Sequence, residues 1–475
     1  MRWETVMGLE VHAELSTKSK IFCDCAAAFG GEPNTHVCPV CSGMPGTLPK
    51  LNRTVVEYAI RLGLTLGCSI TQNCKFDRKN YFYPDLPKAY QVSQLYAPIC
   101  QDGTVEITVD GQEKAIGIRE IHMEEDAGKL IHAPGNAGTF MDFNRCGVPL
   151  LEIVSQPDFR SVGEVLSYLE QLRETLLFLG ICDCKMQEGS LRADVNLSLR
   201  PVDGELGVRT EMKNLNSFKA IGRAIDYEAA RQQEVLESGG QIVQETRRWD
   251  DDKGESYAMR SKENVQDYRY FPEPDLLPIH IDDRWLARVR ETIPELAQQK
   301  RERYIRDYGL SKVEALTLTG HKNISDLFED VAQRSGEPLE SAHLISGEIM
   351  RLMNSTGTLP EALTLDGHKL SVLVSLVSGG KINRGAYKET VEAIFTKDAD
   401  PEAYIVEKGL RMVSDDAVVS KAVDSVLAGN PEAVADYRSG KEKAFGFLMG
   451  QVMKELGGAG NPSIAKKTLK EILDK

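Results

Sequence analysis

Several things are scarce or missing in this chain of 475 residues. No run approaches the roughly eighteen apolar residues of a transmembrane helix, which excludes a helical membrane span. The opening, MRWETVMGLEVHAEL, puts acids and a histidine where the apolar core of a signal peptide would sit, so a cytoplasmic location with reduced thiols is expected. No G-x-x-x-x-G-K-[ST] is present, and no G-x-G-x-x-G follows a β-like run. If the chain uses a nucleotide, it does so through metal carboxylates and scattered cations. An amidase-type Ser-Lys signature and a convincing Cys-His pairing are missing too, which argues against autonomous covalent hydrolysis. Positive charge is short, with 57 Lys+Arg against 71 Asp+Glu and a net charge of -14. Such a protein does not coat nucleic acid non-specifically, although a local basic surface remains open to it. Low-complexity segments and fixed-period repeats do not stand out.

What is present begins with FCDCAAAFGGEPNTHVCPVC, residues 22–41. Its cysteines, Cys23 and Cys25, then Cys38 and Cys41, form C-x-C, twelve residues, then C-x-x-C. Each short pair can span one side of a tetrahedral zinc ion while the loop folds back to close the other. Gly30, Gly31, Pro33 and Asn34 suit that turn, and Pro39 stiffens the second pair. Two disulfides or four unrelated thiols are the alternative, which a reducing compartment disfavours. A site closed by four cysteines is structural and leaves the reaction to other residues. Cys182-x-Cys184 has no second pair and is read as incidental.

Length predicts two to four domains, and 41% hydrophobic residues suffice for packed cores. To about residue 290, β-like runs alternate with turn signals, Asp110-Gly111 and Asp203-Gly204 among them, and predict an antiparallel sheet. Two helices interrupt it. One starts at an expected capping box, Ser161 with Glu164, and stops at Gly180; the other, from Phe218, ends at Gly239-Gly240. FPEPDLLP, residues 271–278, reads as an extended exit. Everything after it has helical period, ending in two helices around GGAGNP. From Pro431 onward the tail is locally basic, which fits either phosphate contact or solvated helix faces.

Candidate chemistry lies in four places. In GLEVHAEL, Glu10 and His12 project from one strand face and Leu9, Val11 and Ala13 from the other. In HMEEDAGK, residues 122–129, crowded carboxylates call for a proton or a cation such as Mg²⁺, unless they are a solvated charge run. Glu152 sits in an apolar run and needs a partner if buried. Glu10, His12, Glu125 and Glu152 together would make a hard, mostly oxygen-lined cation site. RKNYFYPDLPKAYQ, residues 78–91, interleaves Arg78, Lys79 and Lys88 with Tyr81, Phe82, Tyr83 and Tyr90, as stacking surfaces for bases do and as core aromatics with capping charges also do.

Taken together, ETVMGLEVHAEL, the cysteine segment running into CSGMPGTLPKLN, KFDRKNYFYPDLPKAYQVSQ, HMEEDAGK, VPLLEIVSQPD, EGSLRADVNLSLR, EMKNLNSFKAI, QETRRWD and DYRYFPEPDLLP resemble the GatB/GatE family. These are the B subunits of glutamine-dependent amidotransferases that act on misacylated tRNA. The resemblance implies an α+β fold: a glutamine synthetase-like antiparallel-sheet cradle over 1–292 with a zinc knot at 23–41, an all-α domain over 293–405 and a YqeY-like helical tail over 406–475. It implies a carbon-nitrogen ligase with glutamine as amido donor, working within a heterotrimer whose other members are a glutaminase, the A subunit, and a bracing C subunit. Its reaction would use ATP to phosphorylate the side-chain carboxylate of Glu-tRNA(Gln) or Asp-tRNA(Asn), and ammonia would then form the amide. By resemblance Glu10, His12, Glu125 and Glu152 take the catalytic Mg²⁺ role, with Glu124 as an alternative to Glu125. Lys79, Arg192 and Lys213 become candidates for phosphate or acceptor-end contact. Cys23, Cys25, Cys38 and Cys41 take a structural Zn²⁺, which some family members lack. A non-catalytic, zinc-bearing tRNA scaffold is the competing reading; it leaves Glu10, His12 and HMEEDAGK without purpose.

Overall fold

The structure, a computed structural model, describes residues 2–133, 138–261, 268–412, 416–441, 443–457 and 460–474. The chain forms two compact units, Met1–Leu296 and Ala297–Lys475. In the first, β1 (Trp3–Glu14) precedes α1 (Arg53–Thr65), and four short strands follow: β2 (Ser69–Ile70), β3 (Asn73–Cys74), β4 (Asp77–Asn80) and β5 (Tyr90–Ser93). Next come β6 (Cys100–Val109), β7 (Gln112–Glu125), β8 (Lys129–His132), β9 (Thr139–Asp142), β10 (Pro149–Ser155) and α2 (Val162–Leu179). β11 (Leu191–Pro201), β12 (Thr210–Lys213), α3 (Phe218–Glu237), β13 (Glu245–Asp250) and β14 (Glu255–Ser261) complete the main sheet. β15 (Phe271–Pro272), β16 (Ile279–His280) and α4 (Asp283–Glu291) close the unit.

Nine strands form one sheet in the order β14-β13-β12-β11-β1-β10-β7-β6-β2. β1 lies at its centre, and from Met7 onward it alternates with period two: Leu9, Val11 and Ala13 are buried, and Glu10 and His12 are not. Those apolar residues share one core with Val165, Leu169, Leu172 and Leu176 of α2 and Ile221 and Ile225 of α3. Helices therefore cover one face, and the polar face is left for chemistry. Asp110-Gly111 makes the expected hairpin, with φ of 51° and 78°. α2 is capped by Ser161 and ends at a left-handed Gly180. The expected capping box forms only by half, since Glu164 reaches back to the N–H of Arg160, not of Ser161. FPEPDLLP is extended where Phe271 and Pro272 pair with β4.

Two expectations need correction. The sheet is not wholly antiparallel, because β12 and β13 pair in parallel. α3 lies between them in sequence and supplies the long crossover that parallel neighbours require. Asp203-Gly204 is not a tight hairpin either: the turn closes on Pro201, and β12 starts only at Thr210.

In the second unit all the long elements are helices. Tyr304, Phe328, Leu373 and Val391 belong to one core, and Val419, Leu448, Val452 and Leu469 to another. The last two helices, Lys443–Glu455 and Pro462–Leu473, flank GGAGNP, of which Gly458 and Ala459 lie outside the described residues. No helix among the described residues is long and apolar enough to cross a membrane.

Candidate active site and cysteine cluster

Strand register builds the site. His12 on β1 lies opposite Glu152 on β10, and Glu152 lies opposite His122 on β7. Glu10 faces Asp194 on β11, and Asn196 faces Glu211 on β12. Because side chains repeat every two residues, all of these meet on the uncovered face. All but Asn196 line a cleft of about 610 Å³ together with Glu124, Lys79, Arg192 and Lys213.

Two groups of hard donors result. In the first, His12 Nε2 lies 3.6 Å from Glu124 Oε1 and 3.7 Å from Glu152 Oε2. His122 Nε2 lies 2.7 Å from Glu152 Oε2. In the second, ligand atoms of Glu10, Asp194 and Glu211 come within 4.8 Å of one another, as do those of His12, Glu124 and Glu152. Burial, and then the nearby charge of Glu152, push the Glu124 carboxyl up. Glu152 is held well below the usual range: burial opposes ionisation, but His122 and His12 outweigh it. His122 rises to about 9, since Glu152 overcomes the cost of burying the imidazolium. Buried carboxylate oxygens gathered around one imidazole are a donor set that suits a hard divalent ion.

Of the four residues expected to share one cation, His12 and Glu152 are brought together. Glu10 joins Asp194 and Glu211 instead. Glu125 is not among them: it turns to the opposite face, pairs with Lys88 and accepts the Val92 N–H at 3.0 Å. Glu124 occupies the position expected of it, as neighbouring residues on a strand must point apart. His122, Asp194 and Glu211 were not anticipated. Each lies inside a stretch already conspicuous in the sequence, but only the register shows which face it takes.

The three cations differ in how they are held. Lys213 Nζ bridges Asp194 (2.5 Å) and Glu211 (3.0 Å) across the second group. Arg192 donates to Asp126 at 2.6 Å, beside Arg145 at 3.4 Å from the same carboxylate. Lys79 stands over the rings of Tyr81 and Tyr268 and, among the described residues, makes no carboxylate ion pair. Burial lowers its proton affinity, but Tyr270, Glu124 and Glu152 more than restore it.

The sulfur atoms of Cys23, Cys25, Cys38 and Cys41 converge within 4.8 Å, and all four are free thiols. The Cys41 thiol is pulled down to about 4, first by the hydrogen bond from Cys23 and, against burial, by the Cys38 N–H and Lys20. Four convergent thiols fit a tetrahedral zinc ion. Cys182 and Cys184 lie buried in the main core and join no metal-capable group among the described residues.

Fold and cleft thus define an α+β protein with a carboxylate-lined cleft on one sheet face and, elsewhere in the same unit, a cluster of four cysteines. Comparison with known sequences makes the class specific. Residues 5–287 match the GatB/GatE catalytic domain and residues 326–473 the GatB domain. A protein of Lachnoclostridium phytofermentans, named as the B subunit of aspartyl/glutamyl-tRNA(Asn/Gln) amidotransferase, is 57% identical over 474 residues, covering 100% of this chain and 99% of that one. Proteins of the same name from Caldicellulosiruptor bescii and Thermoanaerobacter pseudethanolicus are 54% and 52% identical, with 100% of both chains covered in each case. The chain belongs to the GatB/GatE family.

Proposed function

We propose that this chain is the B subunit of a tRNA-dependent amidotransferase and carries out the activation and amidation steps on the aminoacyl-tRNA. The substrate is the side-chain carboxylate of Glu-tRNA(Gln), Asp-tRNA(Asn) or both. ATP transfers its γ-phosphoryl group to a carboxylate oxygen and leaves as ADP. Ammonia then attacks the acyl carbon, phosphate departs and an amide remains. The ammonia comes from a glutaminase partner, the A subunit, in a heterotrimer completed by a C subunit, and the basic helical tail contacts tRNA. The full-length relatives bearing the amidotransferase name support this reading.

The observation that carries it is the meeting of His12, Glu124 and Glu152 on the same sheet face as Glu10, Asp194 and Glu211. These residues would hold Mg²⁺, whose chemistry is to neutralise charge on transferring phosphoryl oxygens. Lys79 would meet an anionic phosphate; that it stands over Tyr81 and Tyr268 and makes no carboxylate ion pair among the described residues supports this. Arg192 and Lys213 orient the acids around them and fix the shape of the cleft. Zinc on the four cysteines would stabilise the fold and take no part in the reaction. A scaffold without catalysis gives the cleft no role.

The test is ATP-dependent conversion of Glu-tRNA(Gln) with ammonium as nitrogen donor, using the reconstituted complex. Ammonium bypasses the glutaminase. Glu124→Gln is expected to assemble normally and lose activity by about a hundredfold or more, the scale of several kcal/mol of lost charge stabilisation. Glu125→Gln is expected to lose less. Equal activity of wild type and Glu124→Gln sinks the assignment.

A further inference from the structure

The cysteine cluster encloses a charge that neither the cleft nor the fold requires. Lys20 is 0% exposed, although lysines almost never go fully inside without a partner. Its Nζ donates to the His36 carbonyl at 2.6 Å and lies 3.6 Å from Cys41 Sγ and 3.5 Å from the Phe143 carbonyl. Among the described residues it makes no carboxylate ion pair. A buried ammonium needs an anion, and backbone carbonyls supply only dipoles. The cluster is the available anion. Four thiolates around one divalent cation leave two negative charges in excess.

Lys20 also joins the two halves of the cluster. Its own N–H donates to the Cys25 carbonyl at 3.0 Å, which ties its backbone to the first cysteine pair. Its side chain crosses to Cys41 of the second, whose sulfur also accepts the Cys38 N–H at 3.2 Å. The loop between the pairs is fastened to a distant segment in the same way. Asn34 Oδ1 accepts the Phe143 N–H at 2.8 Å, and Asn144 Oδ1 accepts the His36 N–H at 2.8 Å. Thus His36 and Phe143, whose carbonyls receive the lysine, belong to two segments already sewn together.

We propose that Lys20 is the buried counter-ion and positioning residue of a divalent metal held by Cys23, Cys25, Cys38 and Cys41, and that it locks the cysteine loop against the segment at Phe143. This rests on the metal reading of the cysteines. Outer-shell partners of metal ligands are worth about tenfold to a hundredfold in metal affinity. A hydrogen bond from an ammonium also lowers the energy of the thiolate lone pair, so its removal should move the sulfur-to-metal charge-transfer band to longer wavelength.

The experiment uses the full chain stripped of metal and titrated with Zn²⁺ against a chromophoric chelator, and with Co²⁺ for the spectrum. Lys20→Met keeps the length of the side chain and removes its charge; Lys18→Met removes a charge from an exposed neighbour. Lys20→Met is expected to bind Zn²⁺ tenfold to a hundredfold more weakly, with the Co²⁺ band shifted to longer wavelength, while Lys18→Met matches wild type. Affinity of Lys20→Met within twofold of wild type, with an unmoved band, overturns the proposal. If wild type itself binds neither ion, the metal reading fails and the proposal with it. Should Lys20→Met not fold, amine acylation of the wild-type chain decides: Lys20 should be modified only after zinc is removed. Equal modification with and without zinc refutes the lock.

Discussion

Glu228 on α3 offers the sharpest test of how the cleft is held. Its carboxylate is 0% exposed, yet it is ringed by donors. Thr210 Oγ1 donates to Oε1 at 2.8 Å, Gln232 Nε2 at 2.9 Å and Arg231 at 2.7 Å, while Arg231 Nε reaches Oε2 at 2.8 Å. Arg247 on β13 stands 3.4 Å away. This one group therefore ties α3 to β12 and β13, the parallel pair whose first member carries Glu211 and Lys213 into the cleft. Glu228→Gln preserves shape and one acceptor oxygen but leaves the Arg231 guanidinium without its anion, while Arg247 keeps its pairing with Glu245. Removing one partner of a buried ion pair costs about 3–5 kcal/mol; with one oxygen retained, about 3 kcal/mol is expected, roughly two decades in the unfolding constant. Urea unfolding followed by the fluorescence of buried Trp249 measures it. The pH dependence gives a second reading. Despite burial, the hydrogen bonds from Arg231, Gln232 and Thr210 hold Glu228 below its ordinary value. The stabilisation is then fully present above the unfolded glutamate value of about 4.3 and fades as pH falls through the folded one. The gap between wild type and Glu228→Gln should accordingly shrink on acidification. A difference under about 1 kcal/mol at neutral pH, or a gap that stays constant as carboxylates protonate, refutes the reasoning.

Further outcomes can be measured independently. Replacing Cys38 and Cys41 with serine should abolish zinc retention and lower the thermal midpoint of the first unit by more than about 5 °C, read by metal analysis and calorimetry. Leu469→Ala, at a 0% exposed position in the small core of Val419, Leu448 and Val452, should cost about 2–5 kcal/mol. Hydrogen exchange should quicken in helices 443–455 and 462–473 and leave the amides of β1 and β10 unchanged.

What could be read from the sequence follows the range of the forces involved. α2 was legible because Ser161 and Gly180 act within one turn of the helix ends. The Asp110-Gly111 hairpin was legible because left-handed backbone is demanded at that very pair. Convergence of the four cysteines was legible because the spacing confines them. The parallel pairing of β12 with β13 was not, as nothing local in either short strand specifies a partner's direction. Nor could the second acid group be assembled, because Glu10, Asp194 and Glu211 come from β1, β11 and β12 and meet only through register.

The exchange of Glu125 for Glu124 has a more particular cause. On β7, Ile116 and Ile118 face the core, and continued alternation would send residues 120, 122 and 124 inward and Glu125 to the cleft. Yet Ile121 and Met123 are the residues buried in the core beyond that point. The parity changes at a bulge: β10 advances one residue, from Val154 to Ser155, while β7 advances two, from Glu120 to Ile118. Arg119 is the extra residue. Its insertion turns His122 and Glu124 towards His12 and Glu152 and sends Glu125 to Lys88 on the far side. The acid cluster therefore depends on an irregularity in the strand as much as on the acids themselves, consistent with bulges being used to re-aim side chains beside active sites.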